Sequence, residues 1–149
     1  MARIPFPIYN DQTAMKFKLK DPNGDRRGAL QLSFAKKLPE GKMDWKNTIN
    51  LSFSSEEEVS QLIDCLYSEK HEAPLFFKRE QNGRSVNLKV DLSTLSPSFE
   101  IEEKIAKRSR DSEEKFRTIK VVLNKNHIII LQELLPVALK RVLGWDLPE

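Results

Sequence analysis

The sequence predicts an α+β protein: two antiparallel β-sheets from a duplicated strand-strand-strand-helix unit, with a long C-terminal helix in the core of an oligomer. Three observations carry this. Apolar and polar residues alternate with period two through most of the chain, in short segments divided by turn signals. Two stretches, one central and one C-terminal, switch to helical spacing. Thr48-Ile-Asn-Leu-Ser-Phe-Ser-Ser, running from strand into helix start, has a counterpart 70 residues later in Thr118-Ile-Lys-Val-Val-Leu-Asn-Lys. The pseudo-repeats span about 14–70 and 74–145 of one 149-residue domain. Chance likeness of two amphipathic segments is the rival account.

Residues 1–13 carry Pro5 and Pro7 around Phe6, Ile8 and Tyr9. Proline cannot donate to a central ladder, so this is an extended arm or an edge strand. Ala14 to Lys20 points Lys16, Lys18 and Lys20 one way and Met15, Phe17 and Leu19 the other. After the turn Asp21-Pro-Asn-Gly-Asp25, Arg27 to Lys37 sets Leu30, Leu32 and Phe34 against Gln31, Ser33 and Ala35. After Leu38-Pro-Glu-Gly41, Trp45 to Phe53 sets Ile49, Leu51 and Phe53 against Thr48, Asn50 and Ser52. A helix follows, capped by Ser54 or Ser55, with Glu56, Glu57 and Glu58 where the dipole favours anions. Its stripe is Val59, Leu62, Ile63, Leu66 and Tyr67.

The second half repeats the plan with strands at Pro74–Glu80, Arg84–Ser93, Phe99–Glu103 and Phe116–Leu123. Gln81-Asn-Gly83 is a tight turn, and charge-dense Lys104 to Lys115 is expected to be a mobile loop. The last helix runs from Asn124 to Trp145, capped by Asn124 or Asn126 and kinked at Pro136. It is apolar around most of its circumference, so several sides should be buried. Leu131, Leu135, Ala138 and Val142 are the expected contacts of a homo-oligomer, dimer or tetramer; the alternative is that the sheets of one chain wrap both sides.

Composition excludes several classes. A lone Cys65 gives no disulfide framework or thiolate zinc cage. The longest apolar run, Ile128 to Leu131, is far too short to span a membrane, and no leader opens the chain. An intracellular protein is expected, cytoplasmic or nucleoid-associated, with no membrane partner, metal or cofactor. His71 and His127 lack partners at metal spacing, and Asn23-Gly-Asp-Arg-Arg-Gly28 lacks the ending of a phosphate loop. A nuclease would need a carboxylate cluster on the sheet, and none is evident, so no enzyme is expected.

Net charge is only +3, so any polyanion argument rests on where charge sits. Lysines recur on polar strand faces, with acidic residues placed in the first helix, in Glu100 to Glu103 and in the late loop. Aromatics sit among the cations. That pattern suits single-stranded nucleic acid, whose phosphates follow lysines while bases stack on rings. Lys16, Lys18, Lys20, Lys46, Lys78 and Lys89 are the phosphate candidates. Trp45, Phe17 and Phe76 are the stacking candidates, although alternation turns Phe17 inward. Gln31, Ser33, Asn50 and Asn87 would supply hydrogen bonds. A solvated lysine face is the rival reading, since lysine also blocks edge pairing.

The order of short motifs resembles the Whirly family of single-stranded-DNA-binding proteins. Phe17-Lys-Leu-Lys20 is followed by Ala29-Leu-Gln-Leu-Ser-Phe-Ala35, then by Met43-Asp-Trp-Lys46, similar to that family's Tyr-Asp-Trp strand start. Ile49-Asn-Leu-Ser52, Leu75-Phe-Phe-Lys78, Val86-Asn-Leu-Lys-Val90 and a closing Val142-Leu-Gly-Trp145 continue the match. The resemblance, shared with the related transcriptional-coactivator single-strand-binding fold, implies single-stranded DNA binding with little sequence preference, in replication, recombination, repair or transcription, and tetramers. The family's Lys-Gly-Lys-Ala-Ala-Leu motif is absent; Arg26-Arg-Gly-Ala-Leu30 is a loose echo. RNA binding or annealing, and docking of an acidic protein partner, are the other functional readings.

Overall fold

The computed structural model describes residues 4–67, 74–92, 95–106 and 115–145. Strands β1 (Phe6–Tyr9), β2 (Thr13–Lys20), β3 (Ala29–Lys36) and β4 (Ile49–Phe53) form one antiparallel sheet in that order. Helix α1 (Glu56–Tyr67) follows. Strands β5 (Leu75–Gln81), β6 (Arg84–Asp91), β7 (Ser98–Ile105) and β8 (Lys115–Val122) form the second sheet, and helix α2 (Lys125–Val142) ends the described fold. Each unit therefore has four strands and a helix, not three and a helix. The proline-bearing arm is a true edge strand, with Phe6 opposite Phe17 and Tyr9 opposite Ala14. An antiparallel edge leaves alternate N–H groups unused, so proline costs it little.

The β5–β6 hairpin turns on Asn82 (φ 52°) and Gly83 (φ 77°), two left-handed residues in succession as a two-residue hairpin requires. The expected loop from Lys104 begins later. Lys104 pairs with Phe116 and Ile105 with Lys115, lengthening the β7–β8 ladder; residues 107–114 lie outside the described residues. Helix α2 is capped by Asn124, whose side chain accepts the His127 N–H at 2.9 Å. His127 Nδ1 accepts the Asn124 N–H at 3.1 Å in return.

The core lies between the inner sheet faces and the two helices, around Phe34, Phe53 and Phe99. Burying a phenylalanine of this kind contributes about 1.5–3 kcal/mol. Side chains stitch the sheets together where no ladder can. Asn10 Nδ2 donates to Val122 O at 2.9 Å, Val122 N–H donates to Asn10 Oδ1 at 2.7 Å, and Thr13 Oγ1 donates to Lys120 O at 2.7 Å. The open edge of β8 is thus met at Lys120 and Val122 by the β1–β2 turn and the start of β2. The helices are pinned by Tyr67 Oη donating to Gln132 O and Gln132 Nε2 donating to Leu66 O, each at 2.9 Å. At the far end of α2, buried Arg141 pairs with Asp21, and Gly28 lies so close that a Cβ there would meet the Arg141 carbonyl.

This packing corrects the expected oligomer contacts. Leu131, Leu135, Ala138 and Val142 are fully buried inside the single chain. They form the stripe of α2 that packs with the core of the chain's own sheets and α1. The apolar residues left outside are Ile129, Ile130, Leu134 and Val137. Among the described residues, no helix is long and apolar enough to cross a membrane.

Candidate nucleic-acid interface

The strands of the first sheet contain four lysines and no carboxylate. Alternation turns Met15, Phe17, Leu30, Leu32, Ile49 and Leu51 to the core, which leaves the opposite face to polar residues. Register then arranges that face in rows. Lys16, Ser33 and Asn50 stand opposite one another across β2, β3 and β4; Lys18, Gln31 and Ser52 form the next row; Lys20 opposes Ala29. Lysines run along one strand while hydrogen-bonding side chains stand beside them.

Aromatic rings close one end of this face. The Lys16 ammonium lies 4.4 Å from the centre of the Trp45 ring, and Tyr9 meets Trp45 edge-on with centroids 6.4 Å apart. A shallow cleft beside them is lined by residues that include Tyr9, Asp11, Lys37, Lys42 and Trp45. Ala14 and Ala35 occupy the same end of the face and are fully buried, which fits coverage by these rings and by the 37–45 loop. Tyr9, 58% exposed, was not among the sequence candidates. Once the arm is paired as a strand, the inward turn of Ile8 sends Tyr9 outward, and that alternation was visible in the sequence.

The other candidates divide. Phe17 is 5% exposed and packs between Phe6 and Phe99, so it has no face for a base. Ser33 is buried beneath its longer neighbours. Lys46 is exposed in the loop after Trp45. Phe76, Lys78, Asn87 and Lys89 lie on the outer face of the second sheet, away from the first group. That face is not a basic surface: Lys89 stands opposite Glu100, Asn87 opposite Glu102, and Lys78 pairs with Glu80 at 3.0 Å. The single lysine face expected from the sequence is two faces, of which only the first is built on strands free of carboxylates.

Between the sheets the structure places a charge cluster that sequence reasoning missed. Glu103 is 3% exposed and accepts from Arg84 Nε at 2.6 Å and from Arg117 Nε at 2.9 Å. Arg117 also donates to Asn47 O at 3.0 Å and Thr48 O at 3.3 Å on the first sheet's side. Arg79 donates to Glu58 Oε1 at 2.6 Å and Ser52 O at 3.3 Å. Cys65 sits half-buried on α1, where burial, with Asp64 and Asp91 nearby, pushes its thiol pKa up. Among the described residues there is no cluster of His, Cys, Asp and Glu able to hold a metal ion.

An outward cationic sheet face, with the sheet repeated and two helices behind, defines a recognisable class of fold. No protein-family model matches the chain, and no curated protein matches it. Solved structures do. WHY3 from Arabidopsis thaliana aligns over 98% of this chain and 92% of its own, at TM-score 0.76 and 15% identity. WHY1 from the same plant aligns over 97% and 89%, at 0.74 and 17%. The plant transcriptional regulator PBF-2 aligns over 95% and 83%, at 0.73 and 18%. The chain has a Whirly-like fold.

Proposed function

We propose that this protein binds single-stranded DNA with little sequence preference, through the outer face of the first sheet. The observation that carries this is the row arrangement of Lys16, Lys18 and Lys20 beside Trp45 and Tyr9, on strands without a carboxylate. Evenly spaced ammonium groups suit a flexible chain of phosphates, and the exposed Tyr9 ring beside half-buried Trp45 suits unstacked bases. Gln31, Asn50 and Ser52 add hydrogen bonds that any base can satisfy. The fold shared with Whirly proteins supports the same reading. The role this serves is replication, recombination, repair or transcription.

Fluorescence anisotropy tests it, with one mixed sequence offered as single-stranded DNA, as RNA and as duplex at two salt concentrations. Preferential, salt-sensitive binding of the DNA single strand is expected. Equal or tighter RNA binding would move the assignment to RNA, where the 2′-hydroxyl is read. Binding to none of the three at low salt would overturn the proposal. We also propose a homo-oligomer, joined through Ile129, Ile130, Leu134 and Val137, apolar side chains that the described fold leaves partly exposed. Leu134→Glu should lower the mass seen by light scattering to that of the monomer while leaving the fold intact.

A further inference from the structure

The nucleic-acid face ends at β4, and beyond β4 lies a groove. It has a volume of about 520 Å³, in the range of small-ligand sites, and separates the edge of β4 from the β5–β6 hairpin. Its lining includes Asn50, Leu51, Ser52, Arg79, Arg84 and Val86. Leu51 and Val86 are buried side chains and supply an apolar floor. The two arginines supply planar cationic walls.

The β4 edge is what makes this groove unusual. An edge strand exposes a donor and an acceptor at every second residue. Here the carbonyl of Thr48 accepts from Arg117 and the carbonyl of Ser52 accepts from Arg79. Those bonds fix the open side of the strand at residues 48, 50 and 52. The Asn50 N–H and C=O therefore face the groove between two guanidinium clips. The Asn50 amide is oriented as well, because its Oδ1 accepts from Thr48 Oγ1 at 2.9 Å. An adjacent backbone donor and acceptor can match the edge of a nucleobase, since each of the four carries such a pair.

Charge argues for a base over a phosphate. Arg79 is neutralised by Glu58, and Arg84 shares Glu103 with Arg117. Three guanidiniums share two carboxylates, so the groove keeps one net positive charge against three on the lysine row, and the half-exposed Arg84 guanidinium keeps a flat face for stacking. Asn50 also belongs to the row that begins at Lys16. A strand crossing the face along that row arrives at the groove.

We infer that this groove is a nucleobase pocket, taking one base of the single strand laid across the first sheet, with the Asn50 backbone at the base edge and Arg84 on its plane. The inference rests on the proposed single-strand binding.

The test compares two ligands of equal charge, oligothymidine and an all-abasic strand, each of about 12 nucleotides, within the length one domain covers. Ser52→Phe fills the groove, and Arg84→Gln removes the guanidinium placed on the base plane while keeping a polar side chain beside Glu103. Each should weaken oligothymidine by about tenfold and leave the abasic strand within about twofold. Equal losses for both ligands would place a phosphate in the groove and overturn the inference. So would unchanged affinity for both, with single-strand binding otherwise intact. No binding of either strand by the unaltered protein would overturn the single-strand reading itself, and the pocket with it. Thermal melts of both variants guard against a loss caused by unfolding.

Discussion

The two sheets share one topology and use charge in opposite ways. The first keeps carboxylates out of its strands and points Lys16, Lys18 and Lys20 outward. The second carries more cations, but faces them with carboxylates: Lys89 with Glu100, Lys78 with Glu80, Arg84 and Arg117 with Glu103. Inside, the difference repeats. Strand β3 turns Leu32 inward, whereas β7 turns Glu103 inward among apolar neighbours and must bring two arginines to hold it. One unit keeps its outward lysines away from strand carboxylates, and the other pairs its outer cations with carboxylates and turns Arg79 and Arg117 toward the first sheet. A fold alone does not decide this; the identity of the residues on each face does.

The sharpest way to break the comparison is to remove lysines in threes. Replacing Lys16, Lys18 and Lys20 by alanine should weaken single-stranded DNA by about a hundredfold and reduce the salt dependence by about two phosphates' worth of counterions. The matching triple at Lys78, Lys89 and Lys120 should cost less than about fivefold, because carboxylates already neutralise that face. Equal losses, read by anisotropy against log salt, would mean that both faces bind and that the asymmetry has no functional meaning.

Glu103→Gln tests the other half of the contrast. It leaves Arg84 and Arg117 without their shared anion while removing almost no volume. The pair sits between sheets but Arg84 is partly solvated, so a loss of about 2–3 kcal/mol is expected, at or below the low end for a buried ion pair. Urea melts would show it as a lower midpoint with an unchanged slope. Next in size, Trp45→Ala should cost about 1–2 kcal/mol of binding, the worth of one stacked base. Phe76→Ala on the second sheet should change affinity by less than about twofold. If Phe76 mattered as much as Trp45, the second face would have to be part of the site.

Much of this was legible in the sequence, because alternation assigns each strand residue a face without any knowledge of the fold. Lys16, Lys18 and Lys20 were separated from Phe17 in that way, and the helix positions followed from caps and stripes. Alternation is silent on what stands across the ladder. Glu100 and Glu102 read as a separate acidic stretch, and only pairing with β6 puts them against Lys89 and Asn87. The apolar girth of α2 announced burial on several sides but not which stripe met which partner. Leu131 and Leu135 went to the chain's own core, and Leu134 and Val137 were left outside. Glu103 had a readable signal, since it keeps step with inward Phe99 and Ile101; its arginine partners, on two other strands, did not.

The smallest effect separates the units by pH. Helix α1 opens on Glu56, whose pKa is lowered from 4.5 by a backbone N–H at the helix start and by Arg27. A carboxylate lowered by folding stabilises fully above 4.5, and that stability is lost as pH falls through its depressed folded value. Helix α2 opens on the reciprocal bonds of Asn124 and His127, and burial lowers the His127 pKa from 6.5. Its Nδ1 can accept the Asn124 N–H only while the imidazole is neutral. Below 6.5 the unfolded chain binds a proton that the folded chain still refuses, so stability falls with pH from 6.5 down to the lowered folded value and levels beneath it. The α2 cap should therefore loosen in mild acid, and the α1 cap only in stronger acid. Amide exchange read by NMR would show protection at His127 falling between about pH 7 and 5, with Val59 in the first turn of α1 holding until the carboxylate range. Simultaneous loss at both amides would mean that the two units unfold as one body, and that the helix caps are not independent of the sheets behind them.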